Sequence, residues 1–199
     1  MQTRYRYDVN DRRRLAERFD KATVEKAMRW ALDAVQRKAA AQISRDIRGT
    51  YAIKQSDVKN TLRIDRGRRD ARRALLYTGR RLPLEKFSPR GKNVRVEATS
   101  SRGKRYRTRR RGVTVRIRKD QGRQLVGRAG GQSGGWHAKG HILRRADASD
   151  SRSQPYMQFG PSIPGMVAHP SVINDAQEMV REELPREFSG RMDYLLGTK

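Results

Sequence analysis

The sequence predicts an α+β fold, an antiparallel or mixed β-sheet packed by a long N-terminal helix and a C-terminal helix. Three observations carry that prediction. Apolar residues recur at helical spacing over residues 20–47, alternate with polar ones between 62 and 117, and return to helical spacing after residue 170.

The first helix is read from Val24, Met28, Ala31, Val35, Ala39, Ile43 and Ile47, which form one stripe at steps of three and four. Trp30 stands one position off that stripe, and Gly49 sits where a C-cap is expected. Residues 1–19 read as a basic arm ahead of a single domain covering 20–199. Ser56 can cap a short helix carrying Val58 and Leu62. Leu62 and Ile64 then alternate with charged residues, and Ala74 to Gly79 reads as a second strand. Leu82 to Phe87 is extended and interrupted by Pro83. Val94 and Val96, then Val113, Val115 and Ile117, mark two half-buried strands. Between them Ser100 to Gly112 is expected to be a long, mobile basic loop, with seven basic residues and no acid. Gly127 to Gly135, with five glycines in nine residues, reads as a connector. Trp136 to Arg145 can rejoin the sheet, Ala146 to Gln154 is a polar loop, and Phe159 to Met166 reads as a tight Pro/Gly turn. Ile173, Ala176, Val180 and Leu184 share one face of the last helix, which Pro185 is expected to break or restart.

Charge is the strongest compositional signal. The chain has 47 Lys and Arg against 21 Asp and Glu, a formal net charge of +26 in 199 residues, and 36 of the basic residues are Arg. A chain so charged repels itself and seeks polyanions or acidic protein surfaces. Arginine's planar fork suits fixed, bidentate contacts to phosphate or carboxylate. Arg90 to Arg145 holds 18 basic residues and two acids, Glu97 and Asp120, so the charge belongs to the strands and their loops. The candidate contact residues are Arg102, Lys104, Arg105, Tyr106, Arg107, Arg109, Arg110, Arg111, Arg116 and Arg118. They can form a phosphate-binding arm on which Tyr106 stacks, dock on acidic surfaces of neighbouring subunits, or remain a solvated loop. Zinc-finger spacing, an RNP-like aromatic pair and a helix-turn-helix are all missing, so base-specific recognition is not expected.

Catalytic and cofactor chemistry finds no foothold. The absence of cysteine removes disulfides, thiolate catalysis and Cys-ligated metal sites. His137 and His141 stand four apart without the Glu a zincin needs, and Asp147 and Asp150 lie in a polar loop that reads as a turn. Ser162 lacks the Gly-x-Ser-x-Gly elbow, and the glycines of 127–135 match neither the P-loop nor the dinucleotide fingerprint. Trp30 and Trp136 read as core or interface anchors. No catalytic residue, metal or cofactor is expected, and a nuclease using Asp147 and Asp150 is the weakest of the alternatives. No apolar run is long enough to span a bilayer, and the basic N-terminus lacks a secretory apolar region, so a soluble protein made in the cytoplasm is expected.

Four blocks in order do resemble a known family. They are the Ala-rich helix Ala31 to Arg48; Tyr51 to Lys59, with its Ile-Lys-x-x-Asp-Val turn; Tyr77 to Phe87, with Gly-x-x-Leu-Pro-Leu-x-x-Phe; and Phe159 to Met166, with Gly-Pro-Ser-Ile-Pro. Together they resemble the minor tail protein Z family of lambda-like phages and prophages over residues 25–196. The chain departs from the family pattern at 100–112, at 127–135, and at Gln124 to Ala129, where members carry an Ala-Phe-Ile type segment. The resemblance implies a structural virion protein at the head-proximal end of the tail, a tail-completion or neck component that acts late in head–tail joining. It implies other tail and neck proteins as partners (tail terminator, connector or portal-side proteins), a homo-oligomeric ring that can be hexameric, and non-specific contact with genomic DNA. It transfers no catalytic residues. The reading from a different class is a non-specific nucleic-acid-binding protein working through the Arg-rich loop.

Overall fold

The computed structural model describes residues 20–67, 73–127, 134–146 and 152–197, with the backbone alone at 92–99, 106 and 108–111. The basic arm 1–19, most of the glycine connector, and Asp147 and Asp150 lie outside the described residues. The architecture is α+β, as the periodicities require: a long helix, ten short or medium strands, then a long helix. In place of one sheet, the described strands form four small antiparallel sheets. The chain divides into two compact units.

Unit 1 comprises residues 1–47, 58–79 and 163–199. It contains most of helix α1 (Lys21–Thr50), the hairpin β1 (Leu62–Asp65) and β2 (Ala74–Tyr77), and helices α3 (Ile163–Val167) and α4 (Pro170–Leu196). All seven residues of the predicted α1 stripe are buried. Part of that stripe packs on a helix. Val24 and Ala27 meet Met192, Phe188 and Leu195, while Ala31 and Val35 meet Leu184, Val180 and Phe188. Positions rise along α1 as they fall along α4, so the two run antiparallel, and alanines on α1 let the helices approach closely. At the seam's margin Lys38 Nζ reaches Glu183 Oε2 at 2.6 Å and Glu187 Oε1 at 2.8 Å. The hydrogen bond from Lys38 holds the Glu183 carboxyl below its usual range.

The hairpin is tied to α1 by one buried amide. Gln36 Nε2 donates to the carbonyls of Asp65 and Ala74, both at 2.9 Å, which are register partners at the end of β1 and β2. Beside it Arg73 Nε donates to Asp33 Oδ1 at 2.6 Å.

Three local expectations change. Gly49 lies inside the last turn of α1, which ends at Thr50, so it is not the cap. Phe159 to Met166 is no tight turn: it is strand β10 (Phe159–Ser162) followed directly by α3. Pro161 is tolerated because β10 pairs with one strand only, and Pro164 sits in the first turn of α3, where a helix has no use for its N–H. Finally, α4 runs unbroken through Pro185. Pro185 is exposed, so water can satisfy the Arg181 carbonyl that loses its donor, while Leu184 and Phe188 on either side are held against α1.

Unit 2 comprises residues 48–57 and 80–162. It contains the short helix α2 (Gln55–Lys59) in part, β3 (Arg81–Pro83), a 3-10 turn (Leu84–Lys86), β4 (Arg90–Thr99), β5 (Arg105–Val115), β6 (Gln124–Leu125), β7 (Trp136–Ala138), β8 (His141–Arg145), β9 (Pro155–Met157) and β10. Its sheets are β3–β10, β4–β5–β6 and β7–β8–β9. Phe87 and Ile142 are fully enclosed, with Tyr51, Leu84, Val113, Val115 and Val126 buried as well. Glycine is required where backbone meets this core. A Cβ on Gly160 would lie 2.6 Å from Phe87 Cε2, and one on Gly135 would lie 2.6 Å from Val126 Cγ1.

Two stability outcomes follow. Pro185→Ala restores the missing donor and removes the ring from a helix interior, and is expected to raise the unfolding free energy by about 1–3 kcal/mol. An unchanged or lower melting temperature would mean the α1–α4 packing depends on the proline. Gly160→Ala forces a methyl into an enclosed aromatic ring and is expected to cost about 1–3 kcal/mol in denaturant titration; a neutral result would show that Phe87 has room to move.

Candidate polyanion interface

The sequence-predicted contact residues converge on one element, and it is not a loop. Strands β4 and β5 pair without interruption from Arg90↔Thr114 to Thr99↔Arg105. The turn is confined to Ser100–Lys104: Ser100 N–H donates to the Lys104 carbonyl at 2.8 Å, and Gly103, at φ 75°, gives the left-handed residue that a short hairpin turn needs. The expected basic loop over Ser100–Gly112 is therefore corrected to a five-residue turn and the distal half of a strand. Charge concealed the pairing. Backbone hydrogen bonds and the turn glycine set this register, and within β5 apolar alternation signals it only at Val113 and Val115, which are buried at its base.

Strand β6 adds to β5 only at Thr114 and Val115. Beyond that point the hairpin is a two-stranded ribbon among the described residues. Residues 105–113 carry it for about 30 Å at the rise of a strand. Its base is fixed firmly: Thr114 Oγ1 donates to the Arg90 carbonyl at 3.1 Å, Arg116 N–H to the Phe87 carbonyl at 3.1 Å, and Val126 N–H to the Val113 carbonyl at 2.8 Å.

The two-residue period sorts the ribbon's positions into two faces. One face carries Arg105, Arg107, Arg109 and Arg111, opposite Thr99, Glu97, Arg95 and Asn93 in register. The other carries Tyr106, Thr108, Arg110 and Gly112, opposite Ala98, Val96, Val94 and Lys92. Arg102 and Lys104 are exposed on the turn, and Arg105 and Arg107 are exposed on the strand. Arg95 was absent from the sequence-derived set, although Val94-Arg95-Val96-Glu97 alternates as a strand and so signals a face shared by Arg95 and Glu97.

Arg116 and Arg118 lie beyond the strand's end and are engaged by unit 2 itself. An Arg116 guanidinium N–H donates to the Lys119 carbonyl. Arg118 grips both oxygens of Asp120, at 3.1 and 2.9 Å, and lies 5.9 Å from the Tyr51 ring centre. That hydrogen-bonded pairing holds the Asp120 carboxyl below its usual range. Near the ribbon's base the Arg123 guanidinium is pushed below its ordinary value, by desolvation first and then by the like charges of Arg90 and Arg116.

Three described acids of unit 2 are paired within it. Its residue ranges hold 24 Lys and Arg against six Asp and Glu, a net +18 of the total +26. Asp57 binds Lys86 at 3.0 Å, Glu85 hydrogen-bonds His141 Nδ1 at 2.7 Å, Asp120 holds Arg118, and Glu97 is the register partner of Arg107.

The other candidate residues lie on other elements. His137 pairs with Ile142 on β7–β8, Ser162 pairs with Arg81, and Trp136 lies under Arg145 at 5.5 Å. Trp30 is half-buried in unit 1 beside Lys26 and Tyr194. Among the described residues no three His, Asp or Glu gather to hold a metal ion. A groove of about 270 Å³ lined by Trp30, Asp33, Arg37, Arg66 and Arg191 is shallow and open. No described helix is long and apolar enough to cross a membrane.

Fold and surface together define a small α+β protein whose most distinctive feature is a rigidly anchored arginine ribbon. The chain matches the family model of prophage minor tail protein Z (GPZ) over residues 13–197 and belongs to that family. It is accordingly a structural protein of a phage tail and a component of the virion. No curated protein and no solved structure matches it.

Glu97 is the one acid at a ribbon position. Glu97→Gln is expected to raise the salt concentration at which the protein leaves a heparin column, since removing it strengthens the field of the arginine face. Elution at lower salt than wild type would mean that Glu97 orders the ribbon more than it weakens its charge.

Proposed function

We propose that the protein is a tail-completion or neck component, acting at the head-proximal end of the tail to make it competent for head–tail joining, and that the β4–β5 ribbon is its working surface. The observation that carries this reading is the density of positive charge on the ribbon: seven basic residues from Arg102 to Arg111 with no acid among them. Many such subunits brought together in a particle repel one another unless opposite charge is supplied from outside the chain. Acidic surfaces of neighbouring tail or neck proteins supply it, and so does genomic DNA at the channel. A homo-oligomeric ring, hexameric by the symmetry of that region, places the ribbons around one axis where such counter-charge is concentrated. The role requires surfaces and no chemistry.

Arg107, Arg109, Arg110 and Arg111 all replaced by alanine should leave a folded protein, because no described core residue is touched. Phage carrying that variant are expected to assemble heads and tails that fail to join, with a loss of infectious titre of at least a hundredfold, of the order expected when several charge-assisted contacts of about 1.5–3 kcal/mol each are lost. Normal titres would reject this role.

A further inference from the structure

We propose that a groove on unit 1, walled by Trp30, Arg37, Arg66 and Arg191, docks a carboxylate-bearing segment of another protein. The groove shares no residue with the β4–β5 ribbon, so the proposal goes beyond the role given to that element.

Three elements build the groove. Trp30, Asp33 and Arg37 stand at i, i+3 and i+7 on α1, a face of the helix other than its buried stripe. Arg66 follows the end of β1, and Arg191 comes from the last turns of α4.

The walls are held by bonds within the unit. Arg37 Nε donates to the Asp33 carbonyl at 3.2 Å. Asp33 Oδ1 accepts from Arg73 Nε at 2.6 Å, and an Arg73 guanidinium N–H donates in turn to the Arg66 carbonyl. The groove's own carboxylate thus helps fix the backbone that carries Arg66. Arg191 approaches Glu187 Oε2 at 3.6 Å, while the other oxygen of Glu187 binds Lys38 at 2.8 Å. Trp30 is half-buried, with Lys26 Nζ 4.9 Å above its ring centre and the Tyr194 ring 6.4 Å away at a tilt of 53°.

Composition names the occupant. Three guanidiniums share the groove with one carboxylate, and that carboxylate already binds a fourth. Such a surplus calls for a negative guest, and the arginine fork matches a carboxylate with two parallel hydrogen bonds. Trp and Arg are the side chains on which protein partners are anchored most strongly, and Lys is depleted at such interfaces. The groove is lined by Trp and Arg and by no Lys. A single nucleic-acid strand is the competing polyanion, and its bases need an open ring face on which to stack. Lys26 takes one face of Trp30 and the tilted Tyr194 ring stands beside it, which suits a side chain packed at the ring's margin better than a stacked base. Size agrees. At about 270 Å³ the groove falls short of the range of about 300–1,000 Å³ in which small molecules are enclosed, and it is open along one side, as side chains of a passing segment require.

The test uses the full-length chain, with the indole N–H resonances of its two tryptophans, Trp30 and Trp136, as reporters. Titration with a capped glutamate–leucine peptide is expected to shift the Trp30 signal and leave that of Trp136 in place. The same peptide with glutamine for glutamate should bind about tenfold or more weakly, since its amides cannot form the charge-assisted pairs. Arg37→Gln combined with Arg66→Gln should weaken binding of the acidic peptide by about tenfold or more. Arg45→Gln combined with Arg181→Gln removes equal charge from exposed helix positions and should weaken it by less than about twofold. The wild-type titration requires no variant to fold. A Trp30 signal unmoved by the peptide, an equal response to oligothymidylate of the same charge, or equal losses in the two double variants would overturn the proposal. None of these results bears on the ribbon, whose role is decided by the titre of its own variant.

Discussion

Unit 2 carries far more positive charge than its own acids can balance, 24 Lys and Arg against six Asp and Glu. Three of those acids are bound to bases of the same unit, and the pairs secure local structure: Asp57 to Lys86, Asp120 to Arg118, Glu85 to His141. The Arg118–Asp120 pair is exposed and of the kind that contributes little to stability. The surplus gathers on β4, β5 and the turn between them, which hold ten Lys and Arg from Arg90 to Val115 against one acid, Glu97.

A surplus of this size needs a body that does not depend on electrostatics. Unit 1 has one in the α1–α4 seam, where Val24, Ala27, Ala31, Val35, Leu184 and Met192 are buried together. Each large apolar side chain removed from water there contributes about 1.5–3 kcal/mol, which salt does not screen. Unit 2 relies on Phe87, Ile142 and the valines at the ribbon's base in the same way. Both units therefore rest on apolar burial and not on the ribbon's charge.

Helical parts of this fold were legible in the sequence, since burial on one side of a helix writes itself as a stripe, and all seven α1 positions read from that stripe are buried. Errors arose where backbone, not burial, decides. Pro185 looks like a breaker, yet Leu184 and Phe188 hold the helix through it. Ser100 to Gly112 looks like a loop because alternation of Arg with Thr or Arg gives no apolar signal, although the pairing is complete. The candidate contact residues stand out in the sequence as composition, and their partition into two faces depends on the register with β4, in which Arg95 lies opposite Arg109. Arg116 and Arg118 follow the strand's end, bonded to Lys119 and Asp120.

The difference between a loop and a ribbon matters for what these arginines can do. A thirteen-residue loop would have to be ordered on binding, at about 1–2 kcal/mol of backbone entropy per residue. Strand pairing from Arg105 to Gly112 has met that cost during folding, helped by buried Val113 and Val115 and by the Gly103 turn. Charge that is already spaced and oriented binds a polyanion with less entropy to lose, which favours contacts that persist through assembly. Arginine suits such a scaffold better than lysine, because its planar fork exploits a fixed position and a flexible ammonium does not. The hairpin shows that preference, with eight Arg and two Lys from Arg90 to Val115.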